Sequence, residues 1–494
     1  MGTSVGPSVG LNSQYRQLIQ ATLQIERQPK LELQNQRKQK NDTKSVVSDL
    51  DSRLSSLQSQ LSTLTDTVSS PFEGRSASAE EGTEAFSVSA DKSASTGSYS
   101  LAVDRRASAD GRVSQTYNAG GTGLRTFFDN NGSQTFSVEV ATPTDDNPDA
   151  RTAIDVTVDP DGTTNKEILG DIQSAVDSAL QSAVDDGTIS SDQRPNASVL
   201  NPTSDTTRLS LRSTQTGYQG RLGFTDSANG LLAELQVNAD QLADNTQGGE
   251  ITEVGADEGS SKLTSQFELN GLTFTRNSNE ITDAVDGVTI NLEEATGTPS
   301  SFEVAADEEG AKSAVKEFIK RYNKVNDFLQ NKTEVNPDSD ERGALANDST
   351  FQRLQLQLRN DATRPVEGLP DRLNTLGDIG IEASQDGSLE LADEEAFASA
   401  LRNDQAELKE LFAGENGVAT RLETRVDRYV ETGGIIDDRE DSIDSSVDRI
   451  DDRIDRLDQR LQRREEQLRD RYTQLQQTIR DLQAQQQSIS QRLF

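Results

Sequence analysis

The chain has 494 residues and a formal net charge of −35, with 84 Asp and Glu against 49 Lys and Arg, and it contains no Cys and no His. This composition excludes disulfides, cysteine nucleophiles and every general base or metal ligand that Cys or His would supply. The acidic balance also disfavours a nucleic-acid partner, because phosphate would be repelled. Only 32% of the residues are hydrophobic and 4% are aromatic, which favours several thin or elongated domains over one large core.

The acidic surface has two interpretations. It is typical of proteins from saline habitats, and it also serves solubility in other organisms. The first residues have neither a basic segment nor an apolar segment of a cleavable signal, and no run of about 18 apolar residues predicts a membrane span. We therefore expect a soluble protein that would leave the cell only by a route that needs no such signal.

The N-terminal part of the chain predicts helices. A short apolar face from Tyr15, Leu18, Thr22 and Ile25 is interrupted at Pro29, and the polar segment that follows is either a separate helix or disordered until bound. A second stripe has unbroken spacings of three and four residues and ends before Pro71; it comprises Val47, Leu50, Leu54, Leu57, Leu61, Leu64 and Val68.

The middle of the chain, from about 72 to 302, changes to a period of two between Gly, Asn and Asp turns, which predicts strands. One helix, with Ile168, Ile172 and Val176 on a single face, indicates a small α+β insert. The preceding loop with Asp159 and Asp161 resembles part of a calcium loop, but its first and twelfth positions are wrong, so a solvated turn is favoured. The pair Asp386 and Gly387 predicts a hairpin turn.

The chain returns to helices at Ala311 and ends in a long heptad row, formed by Val447, Ile454, Leu461, Leu468, Leu475, Leu482 and Ile489. In its first half this row is flanked on one side by Ile443, Ile450 and Leu457. In its second half it is flanked on the other side by Tyr472, Ile479 and Leu493. The two halves should therefore face different neighbours, with the change near Arg464. The charged face of this helix is interpreted as solvated, with a partner site as the alternative.

These patterns predict an α+β, elongated multidomain protein in which antiparallel terminal helices form a coiled-coil leg around β-rich middle domains. The predicted domains are a terminal helical leg (1–45 and 465–494), a helical coiled-coil domain (46–71 and 311–464), a β-rich plate domain (72–120 and 226–310) and a small α+β insert domain (121–225). The predicted coiled-coil core consists of Val47, Leu50, Leu54, Leu57, Leu61, Leu64, Val447, Ile450, Ile454, Leu457 and Leu461.

Several stretches together resemble the flagellar filament cap family, FliD, also called hook-associated protein 2. The opening "GLNSQYRQLIQATLQIERQPKLELQNQ" is similar to the start of that family. The block "FELNGLTFTRNSNEITDAVDGVTINLEEA" resembles its strand, turn and strand before the helical half, with Asn279, Ile281 and Gly287 at characteristic places. The segment from Asp155 to Leu180, together with Arg208 to Gly217, looks like an insert shared with some flagellins.

The resemblance implies a role in assembly and not an enzyme, with no cofactor and no metal. It implies a capping ring, commonly of five copies, that promotes insertion of exported flagellin at the filament tip. Implied partners are flagellin, further copies of the chain, hook-filament junction proteins and an export chaperone on the C-terminal helix. Export would follow the flagellar type III route to the extracellular tip. A surface adhesin or other coiled-coil structural protein is the alternative.

Filament docking and terminal helix packing are assigned to Tyr15, Leu18, Ile25, Leu468, Tyr472, Leu475, Ile479, Leu482, Ile489 and Leu493.

Overall fold

The computed structural model describes residues 13–144, 146–147, 149–226, 230–335 and 342–492, with side chains described as far as Ser488. The chain folds into two compact units. One unit joins residues 1–73 to residues 308–494, and the other comprises residues 74–307. Helices and antiparallel sheets are both present, so the α+β class is confirmed.

The first unit is built from helices that come from both ends of the chain. Their bounds are α1 Ser13–Glu26, α2 Gln28–Thr65, α6 Glu308–Thr333, α7 Ser349–Thr363, α8 Glu394–Asn403, α9 Gln405–Ala413, α10 Val418–Val430 and α11 Ile435–Arg492. A 3-10 turn at Leu376–Ile379 precedes a hairpin of β17 Ile381–Ala383 and β18 Leu389–Leu391. Gly387 lies in this hairpin with a φ of +89°, a conformation that favours glycine, and the predicted hairpin turn is therefore present.

The C-terminal half of α2 carries the core of this unit. Its stripe packs against α6 and α10, where Phe318, Tyr322 and Leu422 are also buried. All six α2 positions of the predicted core are fully buried, namely Val47, Leu50, Leu54, Leu57, Leu61 and Leu64. Val68 is exposed instead, because α2 ends at Thr65 before the predicted stripe does.

The polar segment after Pro29 is neither a separate helix nor disordered. It forms the first half of α2 and continues without a break into the apolar half. Pro29 lies in the first turn of α2, where its missing N–H would have no helical partner in any case. Pro29 therefore lies at the start of α2, close to the boundary with α1.

α2 and α11 run antiparallel. Lys30 near the start of α2 pairs with Asp458, whereas Lys44 pairs with Asp444, so the sequence order is reversed between the two helices. On α11 the predicted core positions Ile450, Ile454 and Leu461 are buried, and Val447 and Leu457 are half-buried. The terminal helices therefore pair antiparallel as predicted, whereas the apolar stripe of α2 packs against α6 and α10.

The second unit contains the strands of the middle of the chain. Its strands are β1 Arg75–Ala79, β2 Phe86–Ala90, β3 Gly97–Arg105, β4 Ala109–Val113, β5 Tyr117–Asn118, β6 Gln134–Ala141, β7 Arg151–Val158, β8 Asn196–Thr203, β9 Thr206–Thr216, β10 Gly223–Thr225, β11 Gly249–Glu250, β12 Ser265–Leu269, β13 Leu272–Arg276, β14 Glu280–Val285, β15 Val288–Leu292 and β16 Ser300–Ala306. Its helices are α3 Gly123–Asn131, α4 Asn165–Asp185 and α5 Leu231–Leu235.

Two apolar cores lie within this second unit. One core lies around the sheets ordered β1-β16-β3-β12-β13 and β14-β15-β2, and it includes Phe267 and Phe302. The other lies under α4, extends from Tyr117 to Val237 and includes Ile168. The second core includes Tyr117, Leu231 and Val237, which lie outside the predicted insert, and the four-domain division with its boundaries stays a prediction.

The loop that was compared with a calcium loop caps α4. The Thr164 side chain accepts the Glu167 backbone N–H, and the Glu167 carboxylate accepts backbone N–H groups of Thr163 and Thr164 at 2.9 Å. These backbone hydrogen bonds lower the pKa of Glu167 to about 2. The acidic residue near the end of the loop thus has a structural role at the helix N-terminus.

Candidate docking surface of the terminal helices

α1 lies against the distal part of α11 through a small apolar cluster. Ile19 and Leu23 are 5% and 3% exposed, and they pack on Leu461 and Leu468 of α11. Tyr15 stacks on Tyr472, which is half-buried, with ring centroids 5.2 Å apart and an interplanar angle of 24°. These contacts attach α1 to the distal part of α11.

The packing face of α1 differs from the predicted face. Leu18 and Ile25 are 50% and 74% exposed, so the expectation that they pack against the C-terminal helix is wrong for the isolated chain. The α1 sequence has apolar residues on two faces, and a step of one residue turns a helix by about 100°. The contact uses Ile19 and Leu23, while a docking role for Leu18 and Ile25 stays a prediction.

The two halves of the C-terminal row have different neighbours. Up to Asp458 the neighbour is α2, and from Leu461 to Tyr472 the neighbour is α1. Arg464, where the change was expected, donates to Glu26 at the end of α1 with an N to O distance of 3.2 Å. The shift of the flanking apolar residues therefore follows a change of partner helix.

Three ion pairs join the polar half of α2 to α11, and we call them the charge ladder. Lys30 contacts Asp458 at 2.6 Å, Arg37 contacts Asp451 at 2.9 Å, and Lys44 contacts Asp444 at 2.6 Å. Each step advances seven residues along α2 and goes back seven residues along α11, which keeps the pairs on one side of the two helices.

The charge ladder sets the register of a contact that has little apolar surface on the α2 side. Its side chains are about a quarter to a half exposed, so water and salt screen each pair and its contribution to stability is small. The hydrogen bond to Asp444 raises the pKa of Lys44. The sequence analysis missed this feature, although the two seven-residue rows of opposite charge were a signal that could have revealed it.

The apolar row of α11 continues past its cover. Leu475, Ile479 and Leu482, which we call the tail row, are 44%, 36% and 58% exposed. The Ile489 side chain and Leu493 belong to the same predicted row and lie outside the described side chains. Of the assigned docking residues, Tyr15, Leu468 and Tyr472 thus pack between α1 and α11, and the tail row presents apolar surface to solvent.

Neither a carboxylate cluster suited to a metal ion nor a helix suited to span a bilayer is present among the described residues. Among them, no group of three or more Asp and Glu side chains is arranged to hold a metal ion. In the same part of the chain, no helix combines the length and the apolar character needed to cross a bilayer.

Family models match both ends of the chain. The model for the flagellar hook-associated protein 2 N-terminus matches residues 12–110, and the model for the C-terminus of the same protein matches residues 264–484. The chain belongs to the flagellar hook-associated protein 2 family. The two matches include α1, α2 and most of α11, which are the elements of the candidate docking surface.

Individual relatives are similar over parts of their length. An A-type hook-associated protein 2 of Pseudomonas aeruginosa is 31% identical over 184 residues, which is 36% of this chain and 38% of that protein. A B-type protein from the same species is 28% identical over 246 residues, or 47% of this chain and 50% of that protein. The chain thus spans between about a third and a half of the length of these members of the hook-associated protein 2 family.

A solved structure has the same fold. The crystal structure of the flagellar cap protein FliD D1-D2-D3 domains from Escherichia coli matches with a TM-score of 0.54. The match covers 81% of this chain and 99% of that one at 23% sequence identity. The likeness therefore supports the multidomain α+β fold of the hook-associated protein 2 family.

Proposed function

We propose that this chain caps the distal end of the bacterial flagellar filament. In this proposal, copies of the chain form a closed ring, of five as the resemblance implies, beneath which exported flagellin folds and inserts without leaking into the medium. The role is structural, because the ring confines an unfolded subunit at its insertion site and so reduces the entropy lost on assembly. Membership of the hook-associated protein 2 family supports a role in the flagellum, and the exposed tail row supports docking through the C-terminal helix.

The exposed tail row is the observation that carries the proposal. A helix with apolar residues at heptad spacing is stable in water when a partner covers them, and the apolar contacts of α1 on α11 reach Tyr472, whereas Leu475, Ile479 and Leu482 are exposed. Leu475, Ile479 and Leu482 would dock on the end of the filament. Before export the same row would be covered by a cytoplasmic chaperone.

The further partners follow from this placement. Flagellin would contact the ring during insertion, and hook-filament junction proteins would receive the chain when the first ring forms. The chain would reach the extracellular tip through the flagellar type III route. Adhesion through the second unit is the alternative function, and no described surface favours it.

The substitution Leu482→Asp tests docking through the tail row. Because Leu482 is 58% exposed in the isolated chain, we expect the purified variant to keep its melting temperature within a few degrees of wild type. In the docked state a charge would be buried in an apolar contact, which costs several kcal/mol. Cells carrying the variant should export flagellin but release it as monomer, with short or absent filaments on intact hooks.

Gln477→Asp is the matched control. Gln477 is exposed and lies five residues before Leu482, about 140° away around the helix, so the same charge would face away from the tail row. This variant should build full-length filaments. Full-length filaments with an exported, stable Leu482→Asp protein would refute the docking assignment, whereas full-length filaments in a deletion strain would refute the cap function. Normal filaments with reduced attachment would favour the adhesin.

A further inference from the structure

α11 carries a row of arginines on the side away from the charge ladder. Arg449, Arg453, Arg456 and Arg460, the basic row, are exposed and follow spacings of four, three and four residues, which place them along one side of the helix. Within the described part of the chain none of the four forms an ion pair; Arg449 donates to the hydroxyl of Ser446 at 2.9 Å. The basic row is thus available to an acidic partner.

The basic row borders a groove between α2 and α11. The groove has a volume of about 330 Å³, and its lining includes Pro29, Leu33 and Leu457 together with Arg453, Arg456, Arg460 and the carboxylate of Glu32. Leu33 and Leu457 are half-buried, so the groove combines an apolar floor with three guanidinium groups against one carboxylate. Such a combination suits a protein surface that brings carboxylates to the guanidinium groups and an aliphatic stem to the floor.

A different side of α11 carries an acidic row. Asp441, Asp448 and Asp455 are exposed, lie seven residues apart, and form no ion pair with any described residue. At about 100° per residue, the mean direction of the acidic row lies roughly 110° around the helix from the mean direction of the basic row. The same helix consequently presents positive charge on one side and negative charge on another.

The two rows are similar in length and overlap over part of it. The basic row spans twelve residues with a rise of about 17 Å, the acidic row spans fifteen residues with a rise of about 21 Å, and they overlap between 449 and 455. In a closed ring with rotational symmetry, every copy points the same way, so that one side of each copy meets a different side of the next. This is the arrangement that the two rows fit.

We infer that a second copy of this chain docks on the basic row through its acidic row, so that neighbouring copies of α11 lie side by side in the ring. The inference rests on the proposed ring and names the surface that forms it. With a net charge of −35, two copies repel each other at long range, and close approach needs a local contact of opposite charge. The basic row supplies that contact.

Charge reversal and charge exchange in the full-length chain test the inference by native mass measurement. The triple variant Arg453→Glu, Arg456→Glu and Arg460→Glu, and separately Asp441→Arg, Asp448→Arg and Asp455→Arg, should each raise the concentration needed for the oligomer at least tenfold. Combining all six substitutions in one chain should restore the oligomer, because each row would then again face a row of opposite charge.

The matched control changes the net charge equally at exposed positions elsewhere. Lys166→Glu, Lys262→Glu and Arg480→Glu should leave the oligomer intact. The inference is overturned if the wild type stays monomeric at micromolar concentration, if the first triple variant still assembles, if the control dissociates to the same extent, or if the sixfold exchange stays monomeric. Normal filaments alongside any of these results would leave the cap function standing and remove only this surface.

Discussion

Truncating Leu23 should release α1 from α11 without unfolding the first unit. Leu23 is 3% exposed and belongs to a cluster of four buried residues, against which the half-buried Tyr472 packs. A buried Leu→Ala change costs about 2–5 kcal/mol, and the small size of this cluster favours the lower end. Because α1 has only 14 residues and an isolated helix of that length is marginal in water, a loss of about 2 kcal/mol should fall on the docking of α1 alone.

Hydrogen exchange measured by mass spectrometry separates this local release from global unfolding. A loss of about 2 kcal/mol corresponds to roughly a 30-fold faster exchange of the α1 amides in Leu23→Ala, whereas amides of α6, which pack on the far half of α2, should keep their protection. Ile25→Ala is the control, since Ile25 is 74% exposed and its truncation should leave exchange within about twofold. Unchanged α1 exchange in Leu23→Ala, or equal acceleration in both variants, would refute the packing described for α1.

Two further predictions concern charge. Because the pKa of Glu167 is lowered from 4.5 to about 2, its capping contribution is present above pH 4.5 and is lost as the pH falls through 2. The difference in melting temperature between wild type and Glu167→Gln should therefore be largest near neutral pH and shrink between pH 4.5 and 2; a difference independent of pH would contradict the capping role. If the acidic surface reflects a saline habitat, the melting temperature should rise between 0.1 and 1 M NaCl as carboxylate repulsion is screened, and a flat profile would leave that interpretation without support.

The core of the first unit was the part of the fold that sequence predicted best. Leu50, Leu54, Leu57 and Leu61 recur at spacings that only a helix can place on one face, and all four are fully buried. The turn at Gly387 could also be predicted from the sequence, because it needs a residue that tolerates positive φ. In both cases the signal is local, since it depends on the geometry of one element.

The polar half of α2 shows why local signals fail elsewhere. Residues 28–46 have no apolar stripe of their own, so that composition alone allowed disorder. They are helical because they continue a helix that is held by its other half and because the charge ladder binds them to α11. The partner of each charge depends on the register of two helices that are some 400 residues apart in sequence, and that register is a tertiary property.

By itself the sequence determined that both ends of this protein are helical, that their apolar rows require a cover, and that the chain carries no Cys or His chemistry. It could not determine which face of α1 is covered. Leu18, Ile19, Leu23 and Ile25 are all apolar and surround much of the helix, and the choice of Ile19 and Leu23 follows from the position of Leu461 and Leu468 on α11. Only the tertiary structure shows which residues of the α11 row are buried by α1 and which form the exposed tail row. A residue is buried when another surface packs against it, and the sequence pattern of one helix does not show where its partner lies.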